Sequence, residues 1–455
     1  MARNTYLQTE QISLKDKPKI DILGGGPAGL SVGYFARKKG YDICIHEGSS
    51  AIGGNCRSIK MGEYRFDTGA HRFHDKIPSI TDEIKKLMGD DLKKINAPSK
   101  IYFDGRMIDF PLSFSSAMKN LKISEILKIV AENFLNIFKT DVEYENFEKL
   151  AHAKYGPTLS NLFLINYTEK LWGARANELQ TTISGNRLKN LNILSMIIEM
   201  IIKNRKVKHL EGSFYYPKYG YGSIFDSIAK QVDFENISLN SKINKIFHDG
   251  EKIKEIEFEN GKTKDVGYIV NTLPIDSIIK MLDPLPSKNL IEIADNLKFR
   301  DLKICLLELD FPKLSDNASI YFPDEYIPIT RIYEPKNRSH QMAPKDKTSL
   351  SIEIPYSQGD SISKMTDDEV IDVVKKTLIK EKFFKDSDVL DNRLINIKNA
   401  YPILKVGEEG NIRKLVSFLQ SFSNQKLIGR NVEFDYLHTH KIMERAKHLI
   451  NTFNF

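Results

Sequence analysis

The chain has 455 residues, 41% of them apolar and 28% charged, with 67 Lys and Arg against 60 Asp and Glu, a net charge of +7. These values exclude a disordered, collagen-like or disulfide-stapled chain, and so mild a positive balance gives no argument for nucleic acid. The length predicts two to three structural units.

Cys44, Cys56 and Cys305 form no CxxC pair, so a reducing, cytoplasmic setting is expected. The start of the chain is polar, without a signal-type apolar stretch. The most apolar run, 193–202, contains Glu199 and falls short of the ~20 residues that span a bilayer. Lys203, Arg205, Lys206 and Lys208 follow it. The pattern reads as a core helix ending in solvated basic residues, ahead of a membrane-surface helix.

Residues 1–18 read as a polar extension. From Lys19 the pattern is strand (20–23), glycine turn (24–26), helix (28–39) and strand (41–46), with Gly40 where a helix stops. This βαβ unit predicts a parallel sheet. Residues 113–212 are poor in glycine, and Ile126, Ile129, Val130, Phe134, Ile137 and Phe138 recur at helical spacing, predicting a helical insert. Beyond Phe214 short strands return. Asp249-Gly250 and Asn260-Gly261 flank 252–258, predicting an antiparallel meander. Ile269 and Val270 read as a buried strand ending at Asn271. Residues 276–415 mix strands (302–309, 349–354) with a helix near 366–379. A strand at 426–428 then leads through Gly429 to a last helix at 441–451.

Gly24-x-Gly26-x-x-Gly29, with Pro27 and Ala28 inside it, follows the first strand and opens the first helix. The first glycine permits the tight turn, the second lets backbone approach a pyrophosphate, and the third lets helix and strand pack closely. The phosphates belong at the helix N-terminus, where unpaired N–H groups and the dipole favour negative charge. Glu47 ends the second strand, placed to take both hydroxyls of an adenosine ribose and to disfavour a 2′-phosphate, so FAD or NAD is expected ahead of NADP.

Downstream, Gly53-Gly54-Asn55-Cys56-Arg57-Ser58 and Phe66-Asp67-Thr68-Gly69-Ala70-His71 resemble the FAD superfamily of amine oxidases, protoporphyrinogen oxidase and UDP-galactopyranose mutase. Leu427-Ile428-Gly429-Arg430 resembles its closing strand-Gly-Arg element. The resemblance implies FAD, held by Gly24, Gly26, Pro27, Ala28, Gly29, Glu47, Gly53, Gly54, Asn55, Arg57, His71, Ile243, Gly429, Arg430, Leu437 and His438, with His71 near the reactive flavin edge. It implies an α/β fold with α+β insertions: a Rossmann-like, GR2-type FAD-binding domain with a helical insert and an antiparallel-sheet substrate domain. The expected division is 19–112, 213–275 and 416–455 for the FAD-binding domain, 113–212 for the insert and 276–415 for the substrate domain.

Tyr167-Thr168-Glu169-Lys170-Leu171-Trp172-Gly173 resembles the Y-T-x-K-x-W-G segment of UDP-galactopyranose mutases. Glu178-Leu179, Arg187-Leu188, Thr330-Arg331-Ile332-Tyr333-Glu334, Tyr401-Pro402-Ile403 and Tyr436-Leu437 resemble further mutase segments in the same order. The resemblance implies that Arg187 and Arg331 clamp a nucleotide-sugar diphosphate, which two guanidinium groups can hold with bidentate bonds. Tyr167, Tyr401 and Tyr436 would donate to phosphate oxygens, and Trp172 would line the sugar or uridine channel. The implied reaction is a pyranose–furanose ring contraction through an adduct at reduced-flavin N5, serving surface-polysaccharide synthesis. NAD(P)H is a candidate external reductant, a UDP-sugar the expected small-molecule partner, and a homodimer is compatible.

The closing element departs from the mutase R-Y-L-D-M-D: Asp435-Tyr436-Leu437-His438-Thr439-His440 places imidazoles where two aspartates stand. This changes the charge near the flavin and leaves the sugar open. The alternative is an FAD-dependent oxidoreductase of amine oxidase or protoporphyrinogen oxidase type, whose substrates need no diphosphate clamp. His71-x-x-His74 sits beside Gly69 in a loop-like stretch, with no clear ligand spacing, and no metal site is read from it.

Overall fold

The computed structural model describes residues 19–110, 114–136, 143–184 and 213–452. Strand β1 (Ile20–Leu23) is buried along its whole length, because helix α1 (Pro27–Lys38) covers one face and a second layer covers the other. Pro27 suits the first turn of α1, where no N–H is needed. Arg37 and Lys38 favour its C-terminal dipole, and Gly40, at φ +77°, turns the chain out. Strand β2 (Ile43–His46) returns parallel to β1, pairing Ile20 with Ile43 and Leu23 with His46. The sheet has five strands, all parallel, in the order Gln425–Leu427, Tyr268–Asn271, β1, β2, Ile237–Ser238.

The antiparallel meander is as expected: Ile243–His248, Ile253–Phe258 and Thr263–Asp265 pair in sequence. Leu282–Asp283 adds a fourth, parallel strand.

The largest sheet has seven strands: Val389–Pro402, Phe299–Leu309, Thr348–Tyr356, Arg331–Tyr333, Ser319–Tyr321, Ser99–Phe103 and Arg106–Phe110. The sheet is mixed, since Ser319–Tyr321 runs parallel to Ser99–Phe103. And 99–110, assigned by sequence to the nucleotide-binding portion, belongs to this sheet. Its Asp104-Gly105 turn announces a hairpin, but a local turn carries no information about which distant strand the hairpin joins. Phe299–Leu309 is buried on both faces: Leu302, Ile304 and Leu306 pack with Tyr64 and Phe66, while Cys305, Leu307 and Leu309 face Val370, Val374 and Leu378. Each such side chain contributes about 1.5–3 kcal/mol. The covering helix, Asp367–Lys380, starts at a capping box between Thr366 and Glu369.

The insert is helical in its described part: Phe114–Asn120, Ile123–Asn136, Phe147–Ser160 and Asn166–Trp172. Gly156, at φ +74°, breaks the third of these ahead of Pro157, and a turn of π-helix at Asn161–Ile165 leads into the last. Arg187 and the run 193–208 lie outside the described residues. No helix among the described residues is long and apolar enough to cross a membrane.

Candidate active site

Three loops converge on the N-terminus of α1. A Cβ on Gly29 would fall 1.8 Å from the Gly24 carbonyl oxygen, so only glycine lets the helix lie this close to the turn. Gly26 differs. A Cβ there would meet nothing nearer than Gly54 Cα, at 3.8 Å, so this glycine keeps room open and relieves no clash. Gly53 N–H donates to Gly25 O (2.8 Å), pinning the second glycine loop on the first. Gly429 brings the third loop in, its Cβ position 3.1 Å from Ala28 Cβ, and Leu437 packs on Ala28. Among the described residues no side chain caps the N-terminus of α1. Glu47 accepts from Gly25 N–H through Oε2 (2.7 Å) and from Ser49 through Oε1. Its carbonyl accepts from Ser241 N–H, which ties in the strand beginning at the buried Ile243. Arg57 Nε is buried with no hydrogen-bond partner among the described residues.

From this cradle the second loop runs to the reactive-edge candidates. Asn55 O accepts from Thr68 Oγ1 and lies 2.8 Å from His71 Nε2. A carbonyl can only accept, so His71 carries its proton on Nε2. Burial pushes His71 down to about 4, which keeps the imidazole neutral near pH 7, and its ring stacks on Tyr221 at 5.1 Å. Arg430 gives Nε and Nη2 to Leu437 O and Nη1 to Ala400 O. It therefore braces the closing loop against the large sheet, a role the sequence reading as a cofactor contact did not include.

Beyond His71 lies an aromatic cluster. Trp172 sits 5.7 Å from Tyr401 and 5.3 Å from Tyr436, and the two tyrosine rings are 5.9 Å apart. Tyr436 meets His438, which stacks on His440. Tyr167 packs edge-on against Tyr321, over whose ring Arg331 lies at 6.0 Å. Burial raises the Tyr401 phenol, Glu353 and Tyr436 raise it further, and Arg331 and Arg430 oppose them. The structure thus brings together Tyr167, Trp172, Arg331, Tyr401 and Tyr436, drawn from the insert, the large sheet and the closing loop.

Sequence reasoning missed the partner of Arg331. Glu353, 1% exposed, accepts from Arg331 Nε (2.8 Å) and Nη2 (2.7 Å) and from Ala70 N–H (2.9 Å). Burial alone would raise this carboxyl, but Arg331 outweighs it and holds Glu353 below its ordinary range. Glu353 is the one charged residue in the stretch 350–356, flanked by Ile352 and Ile354, a signal that could have flagged it. Also missed was Arg300, which donates to the carbonyls of Lys170 and Leu171 and so closes the C-terminal end of the Asn166–Trp172 helix. Lys170 Nζ donates to the carbonyls of Asp324, Ile327 and Ile329, and burial lowers it to about 7. These bonds fix the helix that presents Tyr167 and Trp172.

A model of the family described as flavin containing amine oxidoreductase matches residues 27–394. The chain belongs to this family. Coproporphyrinogen III oxidase of Bacillus subtilis (strain 168) is 19% identical over 397 residues, covering 80% of this chain and 83% of that one. A probable UDP-galactopyranose mutase of Klebsiella pneumoniae is 25% identical over 229 residues, covering 48% and 54%. The solved structure of a reduced UDP-galactopyranose mutase superposes with a TM-score of 0.82 at 19% identity, covering 96% of this chain and 95% of that one. The fold is therefore the mixed α/β architecture of the flavin-containing amine oxidoreductase family. FAD suits the residues present: the side-chain-free backbone of Gly26 and Gly54, the uncapped helix and Arg57 Nε, unpartnered among the described residues, all suit a pyrophosphate.

Proposed function

We propose that this flavoenzyme is a nucleotide-sugar mutase of the UDP-galactopyranose mutase type, interconverting the pyranose and furanose forms of a UDP-sugar for surface-polysaccharide synthesis. The observation that carries this reading is the guanidinium of Arg331, its side chain only 14% exposed, lying over the Tyr321 ring with the phenols of Tyr167 and Tyr401 near enough to act on it electrostatically. A largely desolvated cation with phenols nearby suits a diphosphate and repels a protonated amine. Glu353 occupies Nε and Nη2, so the substrate would use Nη1, which has no partner among the described residues. Tyr401 and Tyr436 would add neutral donors, and Trp172 a flat apolar wall for the sugar.

FAD, reduced by a donor such as NAD(P)H, would supply the nucleophile for the anomeric carbon. The chain would hold the departing UDP within reach of the sugar, so that return is intramolecular. Neutral His71 would leave the flavin edge without an added positive charge.

A second reading has its own support. Glu353 cancels much of the charge of Arg331, which also suits an uncharged substrate, and the match to coproporphyrinogen III oxidase covers most of the chain. This reading is an FAD-dependent oxidoreductase. The test is to give the dithionite-reduced protein a panel of UDP-sugars and the oxidised protein amines and porphyrinogens. A second UDP-sugar isomer on chromatography is expected. Peroxide production with an amine or porphyrinogen, and no isomer, transfers the assignment to the oxidoreductase.

A further inference from the structure

On the face of the parallel sheet turned away from α1, Asp21 of β1 and Cys44 of β2 are register partners, with His46 two residues on. His46 Nε2 lies 2.8 Å from Asp21 Oδ1, and both side chains are almost fully buried. His46 Nδ1 lies 4.0 Å from Cys44 Sγ, which is also 3.8 Å from Ser238 Oγ on the edge strand. The meander closes the group from the other side. Lys264 Nζ pairs with Asp21 Oδ1 and lies 3.4 Å from His46 Nε2, and the Phe258 ring covers the imidazole at 5.3 Å. Nucleophile, base and orienting carboxylate thus stand in line, none of them part of the aromatic cluster.

We infer that Cys44 is an activated thiol, a modification site for small soft electrophiles of the hydrogen peroxide or alkyl halide class. The carboxylate of Asp21 takes the Nε2–H, which leaves the Nδ1 lone pair facing the thiol. The thiol proton moves to Nδ1, and the thiolate is held beside the resulting imidazolium. With hydrogen peroxide, an S–O bond forms as the O–O bond breaks. Sulfur gives up two electrons, and the departing hydroxide takes the proton from Nδ1 to leave as water. Charge favours this state: thiolate and Asp21 balance imidazolium and Lys264. Burial alone would raise the Cys44 thiol, but His46, Lys264 and Ser238 together hold it below its ordinary range. Asp21 and Cys44 likewise outweigh burial at His46 and raise it.

The same residues do not favour chelation of a metal. Their ligand atoms lie within 4.8 Å of one another, but the imidazole sits between thiol and carboxylate, and the Lys264 ammonium already holds Asp21.

The chain contains its own references, because Cys56 and Cys305 are buried and pushed up to about 12. The experiment is to treat the full chain with iodoacetamide from pH 5.5 to 9 and follow each cysteine by peptide mass. Cys44 should react at least about tenfold faster at pH 6.5 than in the urea-unfolded chain, with Cys56 and Cys305 protected. His46→Gln should abolish that advantage, and Asp21→Asn should shift the profile to higher pH. Peroxide followed by dimedone should label Cys44 alone. A Cys44 rate no faster than in the unfolded chain overturns the inference, as does a wild-type profile that rises only through the ordinary thiol range; neither result depends on a variant folding.

Discussion

At Glu353 a single carboxylate joins two parts of the site. It holds the guanidinium of Arg331 and receives the N–H of Ala70, the residue before His71. Its folded pKa lies below the ordinary glutamate value, so its stabilisation is present above that value and lost as pH falls through the folded one. Glu353→Gln leaves the largely buried Arg331 without a counter-charge and should cost about 3 kcal/mol at pH 7, with the gap to wild type narrowing in acid. Urea denaturation measures this, and equal midpoints at pH 7 would refute it. His71 has the opposite chemistry. Burial lowers its pKa from 6.5 to about 4, so between these values the unfolded chain binds a proton that the folded chain refuses. That stability is complete above 6.5 and falls as pH drops toward 4, by about 3 kcal/mol. Replacing His71 by Asn should flatten this part of the stability–pH curve, and an unchanged slope would show that the ring titrates normally in the fold.

At the scale of the element, the first glycine motif separates folding from binding. The Gly29 position is closed by Gly24 O, whereas the Gly26 position opens toward Gly54. Gly29→Ala should therefore lower the melting temperature by several degrees, since α1 must move off the turn. Gly26→Ala should keep the melting temperature of the flavin-free protein and lose bound flavin, read as the yellow absorbance of the purified protein. Retained flavin in the Gly26 variant would remove the pyrophosphate from this loop. The Asn166–Trp172 helix gives a second case. Lys170→Met removes three bonds to the 324–329 segment and should destabilise by about 1–3 kcal/mol in urea denaturation, while leaving α1 and its cofactor loops intact. A variant as stable as wild type would show that these carbonyls find water instead.

Across the whole molecule, what the sequence shows and what it hides divide by range. The βαβ unit, the meander and the capped Asp367–Lys380 helix are written in neighbouring residues: glycines at fixed spacing, Asp-Gly and Asn-Gly turns, a Thr-x-x-Glu box. Gly24, Gly26, Gly29 and Glu47 were legible for the same reason. The site of the 99–110 hairpin was not, because its parallel partner, Ser319–Tyr321, lies more than 200 residues away. Arg331 was visible through the resembling segment 330–334, but its partner was not, since Glu353 becomes its neighbour only when two strands pair. Tyr167, Trp172, Tyr401 and Tyr436 were found through the order of short resembling segments. Each alone is indistinguishable from a core aromatic.

The claim on which the functional reading turns is that Arg331 faces a diphosphate. Calorimetric titration of UDP into the reduced wild-type protein and into Arg331→Lys, which keeps the charge beside Glu353 but loses the forked donor, tests it most directly. Wild type should bind UDP saturably, and the variant at least about tenfold more weakly, roughly 1.4 kcal/mol. No UDP binding by the wild-type protein, or equal affinity in the two, would contradict it.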